Sequence, residues 1–168
     1  MRRDLVGSVV LLIVVALLVL RPWEEGAGSR GPAKFSARVI RAVDGDTLEV
    51  AMPSGEREDV RLIGVDTPET VKPGTPVQCF GPRASAFTHR AADGRSVRLE
   101  LGVERRDVYG RLLAYVRIGP RFINATLVGR GLARTLTIAP NDRLAPLFSR
   151  LQIEAARAGR GLWDACPP

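Results

Sequence analysis

The sequence holds one histidine, two cysteines and, among its 25 Lys+Arg, only two lysines, Lys34 and Lys72. A single histidine excludes a histidine-rich zinc centre, and two cysteines exclude a zinc ribbon or a multi-bridge disulfide scaffold. Aromatic residues are scarce at 5%. Neither a GxxxxGK[ST] phosphate loop nor a GxGxxG turn occurs. A Ser-His-Asp triad would have to be built around His89, which falls inside a helical pattern and reads as a solvated helix residue. What remains is an arginine-rich chain of 168 residues, with 25 basic against 18 acidic side chains and a net charge of +7. That length gives one domain with a core, and 45% hydrophobic content excludes a wholly disordered chain. The positive balance leans toward anionic partners, although an arginine bias also arises from genomic base composition.

The one long apolar run is Leu5 to Leu20, uncharged, preceded by Arg2 and Arg3 and followed by Arg21, Pro22 and Trp23. As a helix it would reach about 24 Å, a little short of the ~30 Å hydrocarbon core and slightly long for a signal-peptide h-region. Three readings stay open: an uncleaved single-pass anchor, a cleaved signal, or a buried core helix. The first small-residue cluster, Gly26 to Ser29, lies far out for cleavage, and the N-terminal arginines favour an amino end inside. The expected division is residues 1–23 as membrane anchor or signal segment, 24–34 as a Gly- and Pro-rich linker, and 35–168 as the folded domain. The expected location is membrane-anchored with the domain outside the cytoplasm, or secreted if the segment is cut. Without residues 1–34 the domain keeps 20 basic and 15 acidic residues, about +5.

From Phe35 the pattern becomes short strands. Residues 37–43 and 47–52 partly alternate around the turn Asp44-Gly45-Asp46, and 60–65 is apolar on both faces, as a central strand would be. Residues 66–78 carry three prolines and read as a loop. Ala84, Phe87 and Ala91 have helical spacing, predicting a helix over 81–92. Strands are expected at 96–101 and 112–118, joined by the polar segment 104–111. A short helix at 122–128, an extended run at 133–138 and a C-terminal helix over 141–158 follow. The last helix should bury Leu144, Leu147, Phe148, Leu151, Ile153 and Ala155, with Trp163 as a lid on that core. The fold class expected is α+β: a five-stranded Greek-key OB-fold barrel with three helices, preceded by one N-terminal transmembrane or signal-anchor helix.

Carboxylates concentrate in turns. Asp44 and Asp46 flank a glycine, which by itself is turn chemistry. Asp66-Thr67-Pro68-Glu69 opens the loop after the central strand. Oxygen ligands drawn from two turns are what a hard cation such as calcium takes. Arg61 sits between apolar residues of that strand, so its guanidinium needs an anion, either an internal carboxylate or a ligand. A further arginine, Arg111, follows the glycine turn Asp107-Val108-Tyr109-Gly110.

Taken together, Asp44-Gly-Asp-Thr47, Arg61-Leu-Ile-Gly-Val-Asp-Thr-Pro-Glu69 and Asp107-Val-Tyr-Gly-Arg-Leu-Leu-Ala-Tyr115 resemble the thermonuclease-like, or staphylococcal nuclease, family. Gly81–Thr88, Leu127–Ala133 and Gly161–Trp163 extend the resemblance over roughly residues 36–164. It implies an OB-fold barrel with three helices that hydrolyses DNA and RNA phosphodiesters with calcium, breaking P–O5′ to leave 3′-phosphates. Carried over by position, Asp46 and Asp66 are the calcium carboxylates and the Thr67 carbonyl a further ligand. Arg61, Glu69 and Arg111 are the catalytic set, and Tyr109 stands near the nucleotide. Two arginines and a divalent cation suit the charge that builds on a phosphoryl group, with Glu69 as general base for water. The expected substrate is DNA or RNA, the expected partner surface a membrane through the N-terminal helix, and the expected state a monomer. The alternative is a nucleic-acid-binding OB module that has lost catalysis.

The chain departs from the family pattern at several points. Residues 135–140 hold no aromatic where the family has tyrosines at its nucleotide pocket, and Val108 replaces a phosphate-contacting lysine. The loop 70–78 keeps one lysine. Cys79 precedes the first helix and Cys166 lies near the C-terminus: one bridge joins them in an oxidising compartment, and two free thiols are expected in the cytoplasm. Arg95, Arg98, Arg105, Arg106, Arg117 and Arg121 form either a phosphate-attracting face or an ordinary solvated surface.

Overall fold

The computed structural model describes residues 32–166. The Leu5–Leu20 run lies outside the described residues. Among the described residues no helix is long and apolar enough to cross a membrane.

Five strands close into a barrel. β1 (Lys34–Ala42), β2 (Thr47–Ala51) and β3 (Arg57–Leu62) form an antiparallel meander, and β5 (Ser96–Arg106) and β6 (Leu112–Ile118) extend it on the other side of β1. β3 then pairs in parallel with β6, Val60 opposite Leu112, so no barrel edge is left open. Alternation puts Val39, Leu48, Val50, Val60, Leu62, Val97, Leu99, Ala114 and Val116 inside, each at most 1% exposed. In β1 the buried positions run Ala37, Val39 and then Ala42; the skipped beat coincides with a register shift between Val39 and Arg41. That irregularity bends β1 so that its first half pairs with β5 and its second half with β2.

The expected strand over 60–65 is two strands. β3 ends at Leu62, and β4 (Gly64–Asp66) leaves the barrel to pair with β8 (Arg134–Leu136) in a small second sheet. The break falls at Gly64, whose φ of +80° an L side chain rarely adopts and over which the Phe148 ring lies directly. Buried Asn124 secures it, donating to the Ile63 carbonyl at 2.8 Å while its Oδ1 accepts the Val116 N–H at 2.9 Å. β5 runs on to Arg106, well past the expected end at 101, with Arg106 bound through both terminal nitrogens to Glu58 at 2.9 and 2.6 Å.

α1 (Gly81–Ala92) packs on β1. β7 (Arg121–Phe122) leads into α2 (Ile123–Gly129), which packs against α3 (Ala145–Arg157); a single turn, α4 (Leu162–Ala165), follows. α3 starts four residues later than expected because buried Asn141 is drawn to β5: it donates to the Glu104 carbonyl at 2.9 Å and accepts the Glu104 N–H at 3.1 Å. Phe148 and Ala155 face the core from α3, but Ile153 is 50% exposed and does not belong to the buried face. His89 pairs with Asp93 at 2.8 Å near the end of α1 and lines no pocket described below.

Candidate active site

Three turns converge at one end of the barrel. The first joins β1 to β2. Asp44 Oδ1 accepts the Asp46 N–H at 2.9 Å, closing an Asx turn, and buried Thr88 of α1 donates to the Gly45 carbonyl at 2.7 Å. Gly45 lies so close to the second turn that a Cβ would come within 2.6 Å of Thr67 Oγ1. The two turns therefore touch only because residue 45 has no side chain. Across that contact the Thr67 N–H and hydroxyl both donate to Asp46 Oδ2, at 2.7 and 2.9 Å.

Arg61 bridges the two aspartates. Its guanidinium lies 3.1 Å from Asp46 Oδ1 and 3.3 Å from Asp66 Oδ1, and it donates to the Val65 carbonyl at 2.8 Å. Its side chain is only 14% exposed and that of Asp46 only 7%. The break at Gly64 makes this possible, because it turns the Val65 carbonyl and Asp66 back toward the end of β3. Burial pushes the Asp46 carboxyl up to about 6, with Asp44 adding to the rise, while Arg61 and the Thr67 donors pull the other way.

Glu69 sits in the loop between β4 and α1. Its Oε1 accepts the N–H groups of Thr70, Val71 and Lys72 at 2.8, 2.9 and 3.0 Å. These bonds, that of Val71 foremost, hold its pKa below the usual carboxylate value despite partial burial. Among the described residues only Oε1 is so engaged. The third turn, 107–111, is tied by Asp107, whose Oδ1 accepts the N–H groups of Tyr109 and Arg111 and whose Oδ2 takes the Arg111 Nε at 2.7 Å. Burial would raise the Asp107 pKa, but the Arg111 hydrogen bonds and charge and the Tyr109 N–H outweigh it, and the net shift is downward. The Arg111 guanidinium in turn lies 5.3 Å from the centre of the exposed Tyr109 ring.

Asp46, Arg61, Asp66, Thr67, Glu69, Tyr109 and Arg111 thus line one pocket of about 510 Å³. Its lining carries five carboxylates (Asp44, Asp46, Asp59, Asp66 and Glu69) against three cations (Arg61, Lys72 and Arg111), a negative mouth on a positive protein. A second pocket of about 300 Å³ shares Arg61, Tyr109 and Arg111 and is otherwise mostly aliphatic, with Val108, Leu113, Leu136 and Ile138. Cys79 and Cys166 are joined by a disulfide, with Cα atoms 5.8 Å apart. Of the six arginines considered for a phosphate-attracting face, Arg106 is taken up by Glu58, Arg117 stacks on Phe122 and Arg98 donates to the Gly119 carbonyl.

Sequence reasoning missed three supports of this site. Thr67, expected only to offer its carbonyl, contributes its N–H and hydroxyl to Asp46. Asp107 aims Arg111, which an Asp-x-x-Gly turn could have signalled. Gln78 pairs with Glu69 across nine residues of loop, and no local pattern announces that.

A closed five-stranded barrel with helices, bearing a pocket of clustered carboxylates and two held arginines at one end, is the OB-fold architecture expected of a nuclease domain. Residues 59–165 match the family described as Staphylococcal nuclease homologue. The chain is 40% identical over 169 aligned positions to the thermonuclease of Staphylococcus intermedius, covering 98% of this chain and 99% of that one. It is 36% identical, with the same coverage, to the thermonuclease of Staphylococcus hyicus. The endonuclease YncB of Bacillus subtilis is 38% identical over 126 positions, 74% of this chain and 59% of that one. The chain belongs to the staphylococcal nuclease homologue family.

Proposed function

We propose that the chain is a calcium-dependent nuclease acting on DNA and RNA outside the cytoplasm, breaking P–O5′ to leave 3′-phosphate and 5′-hydroxyl ends. The coarser part, a nuclease that hydrolyses phosphodiester bonds, follows from family membership. The observation that supports the catalytic and metal assignments is the convergence of Asp46, Arg61, Asp66, Glu69 and Arg111 on one pocket; the location rests on the Leu5–Leu20 run and the bond cut on the family resemblance.

The residues fit a hard divalent cation. Among the described residues no three His, Cys, Asp or Glu side chains gather closely enough to hold a metal alone, so the ligands would be Asp46, Asp66 and the Thr67 carbonyl, completed by water. The excess of carboxylates at the pocket, and a buried Asp46 whose single guanidinium partner leaves it raised to about 6, both favour added positive charge there. When bound, calcium supplies Lewis-acid polarisation of a phosphoryl oxygen.

Arg61 and Arg111 donate to the equatorial oxygens of the scissile phosphate, where charge grows in the transition state. Asp107 holds Arg111 in a fixed orientation through the paired bonds above. Glu69, its pKa lowered from an already acidic value, is ionised at neutral pH, and its Oε2, outside the Oε1 hydrogen bonds, orients the attacking water and accepts its proton. Water oxygen bonds to phosphorus as P–O5′ breaks. Tyr109 lies alongside the nucleotide, and the aliphatic second pocket receives the base without aromatic stacking from residues 135–140. The segment 1–23 serves as anchor or signal, with residues 24–34 as the tether, and the domain acts as a monomer.

Release of acid-soluble nucleotide from single-stranded DNA, followed across a calcium titration with a chelator control, tests this reading. Activity should appear with calcium, vanish with chelator and collapse in Glu69→Gln. Folded protein that binds DNA but releases no nucleotide at any calcium concentration would make the chain a binding module instead. End-group analysis distinguishes 3′- from 5′-phosphate products.

A further inference from the structure

Away from the pocket, a groove of about 450 Å³ runs along the outer side of α1, lined by Phe80, Arg83, Phe87, Arg90, Arg130 and Leu132 among others. Arg83, Arg90 and Arg130 are exposed, and among the described residues none has a carboxylate within 4.0 Å. The larger groove on the β5–β6 side differs: there Lys34 and Arg143 both bridge to Glu100. Three unopposed like charges in one groove repel each other, and an anion removes that repulsion.

Two of the three arginines are set in place. The Arg83 guanidinium lies 5.3 Å from the centre of the Phe80 ring and that of Arg130 lies 5.1 Å from the centre of Phe87. A guanidinium held against an aromatic face loses less freedom on meeting a phosphate than a free one. Arg90 follows Arg83 by seven residues, two helical turns, so the two lie on one face of α1 about 10.5 Å apart in helix rise.

The start of α1 abuts the loop of the catalytic pocket. Gly81, next to Phe80, lies against the loop that carries Glu69: a Cβ there would come within 2.9 and 3.0 Å of the Pro68 and Glu69 carbonyls. α1 therefore starts behind the Glu69 loop and leads its arginines away from it. The groove lining includes no Asn, Gln, Asp or Glu. It offers charge without the amide and carboxylate groups that read adenine and cytosine edges.

We propose that Arg83, Arg90 and Arg130 form a phosphate track that holds a nucleic-acid strand beyond the segment occupying the catalytic pocket. The track is independent of base sequence and makes affinity depend on strand length. Long polymers are held at both pocket and track. Short products reach only the pocket and leave readily. The inference rests on the nuclease reading and names a substrate-binding surface outside its active site.

The test uses the full-length chain in non-ionic detergent with chelator present, so that binding is measured without cleavage. Affinities for a dinucleotide and for a single strand of about 20 nucleotides are compared across a salt series. The variants are Arg83→Gln/Arg90→Gln/Arg130→Gln and the corresponding triple Lys variant, each checked for an unchanged melting temperature. At about 0.7 per phosphate contact on a single strand, the Gln variant should lower the salt slope for the long strand by about 2. Its affinity near 0.1 M salt should fall about 10- to 100-fold, while dinucleotide affinity moves by less than about twofold, the two sites being separate. The Lys variant keeps the charge and should recover most of the slope. A Gln variant that binds the long strand with wild-type affinity and slope overturns the track, and so does an equal loss for both ligands. Calcium is then added to the wild type. Failure to cleave a strand that it binds with the expected length dependence would sink the nuclease reading and leave the track standing.

Discussion

Gln78 and Glu69 hold each other at two points. The Glu69 N–H donates to Gln78 Oε1 at 2.9 Å, and the Gln78 N–H donates to the Glu69 carbonyl at 2.9 Å. The next residue, Cys79, is bonded to Cys166, so the loop that presents Glu69 is clamped at its far end to the C-terminal segment. Gln78→Ala removes the side-chain half of the clamp and leaves the Glu69 carboxylate chemically intact. Turnover should fall about 10-fold, short of the ~100-fold that a full ångström of misplacement costs, with KM little changed. Steady-state kinetics on a DNA substrate separate the two constants.

Loss of the disulfide should act mainly on stability. The bridge closes a loop of 87 residues in sequence separation. The double substitution Cys79→Ser/Cys166→Ser should cost about 2–4 kcal/mol. Urea unfolding of the oxidised protein, the reduced protein and the variant checks this. The last two should share a midpoint below that of the first.

In the proposed mechanism Arg61 serves fold and chemistry together. Arg61→Gln leaves the buried Asp46 carboxylate without its cation, and breaking such a buried pair costs about 3–5 kcal/mol at neutral pH. Removing one transition-state donor should separately lower kcat by about 10²- to 10³-fold. Chemical denaturation and kinetics read the two effects independently. A variant with full stability and lost activity would leave Arg61 only its catalytic role.

Asp107 should give the protein a pH-dependent increment of stability. Its pKa lies below the ordinary 3.8 in the folded state. A lowered folded-state pKa means the unfolded chain binds the proton more readily, so the increment is complete well above 3.8 and is lost as pH falls through the folded value. Asp107→Asn should therefore be less stable than wild type at pH 7, with a smaller difference at pH 3. Urea midpoints at the two pH values decide it. The same variant should slow turnover at neutral pH, because Arg111 loses the bidentate partner that aims it.

Gly64 tests the break between β3 and β4. Gly64→Ala would place a methyl group into the Phe148 ring at a φ of +80°. Overpacking of about 1–3 kcal/mol and backbone strain of about 1–3 kcal/mol should add to a loss of several kcal/mol. Activity should fall as well, since the break positions Asp66 and the Val65 carbonyl around Arg61. Gly55→Ala, also at positive φ but with open space around it, is the control for strain alone.

The pattern of strands and helices was largely legible because alternation and helical spacing are local properties of the chain. The helix over 81–92 was readable to the residue, since Ala84, Phe87 and Ala91 share one buried face. The misread elements were those where a distant side chain overrides the local pattern. Apolar 60–65 looks like one strand until Phe148, more than 80 residues away, occupies the space beside Gly64. Asn141 looks like a helix start until Glu104 takes its amide. Ile153 fits the apolar pattern around α3, yet tertiary packing leaves it half exposed.

For the site, residue identity was a matter of sequence: which carboxylates and arginines occur, in which turns, and in what order along the chain. Their relationships belong to the tertiary structure. Arg61 bridging Asp46 and Asp66, the Gly45–Thr67 contact, the Gln78–Glu69 clamp and the row of unopposed arginines along α1 each depend on segments brought together by barrel closure and helix packing. Chemistry at a phosphate is set by ångström distances and by burial. Both are properties of the packed chain, and a one-dimensional pattern carries only the groups to be packed.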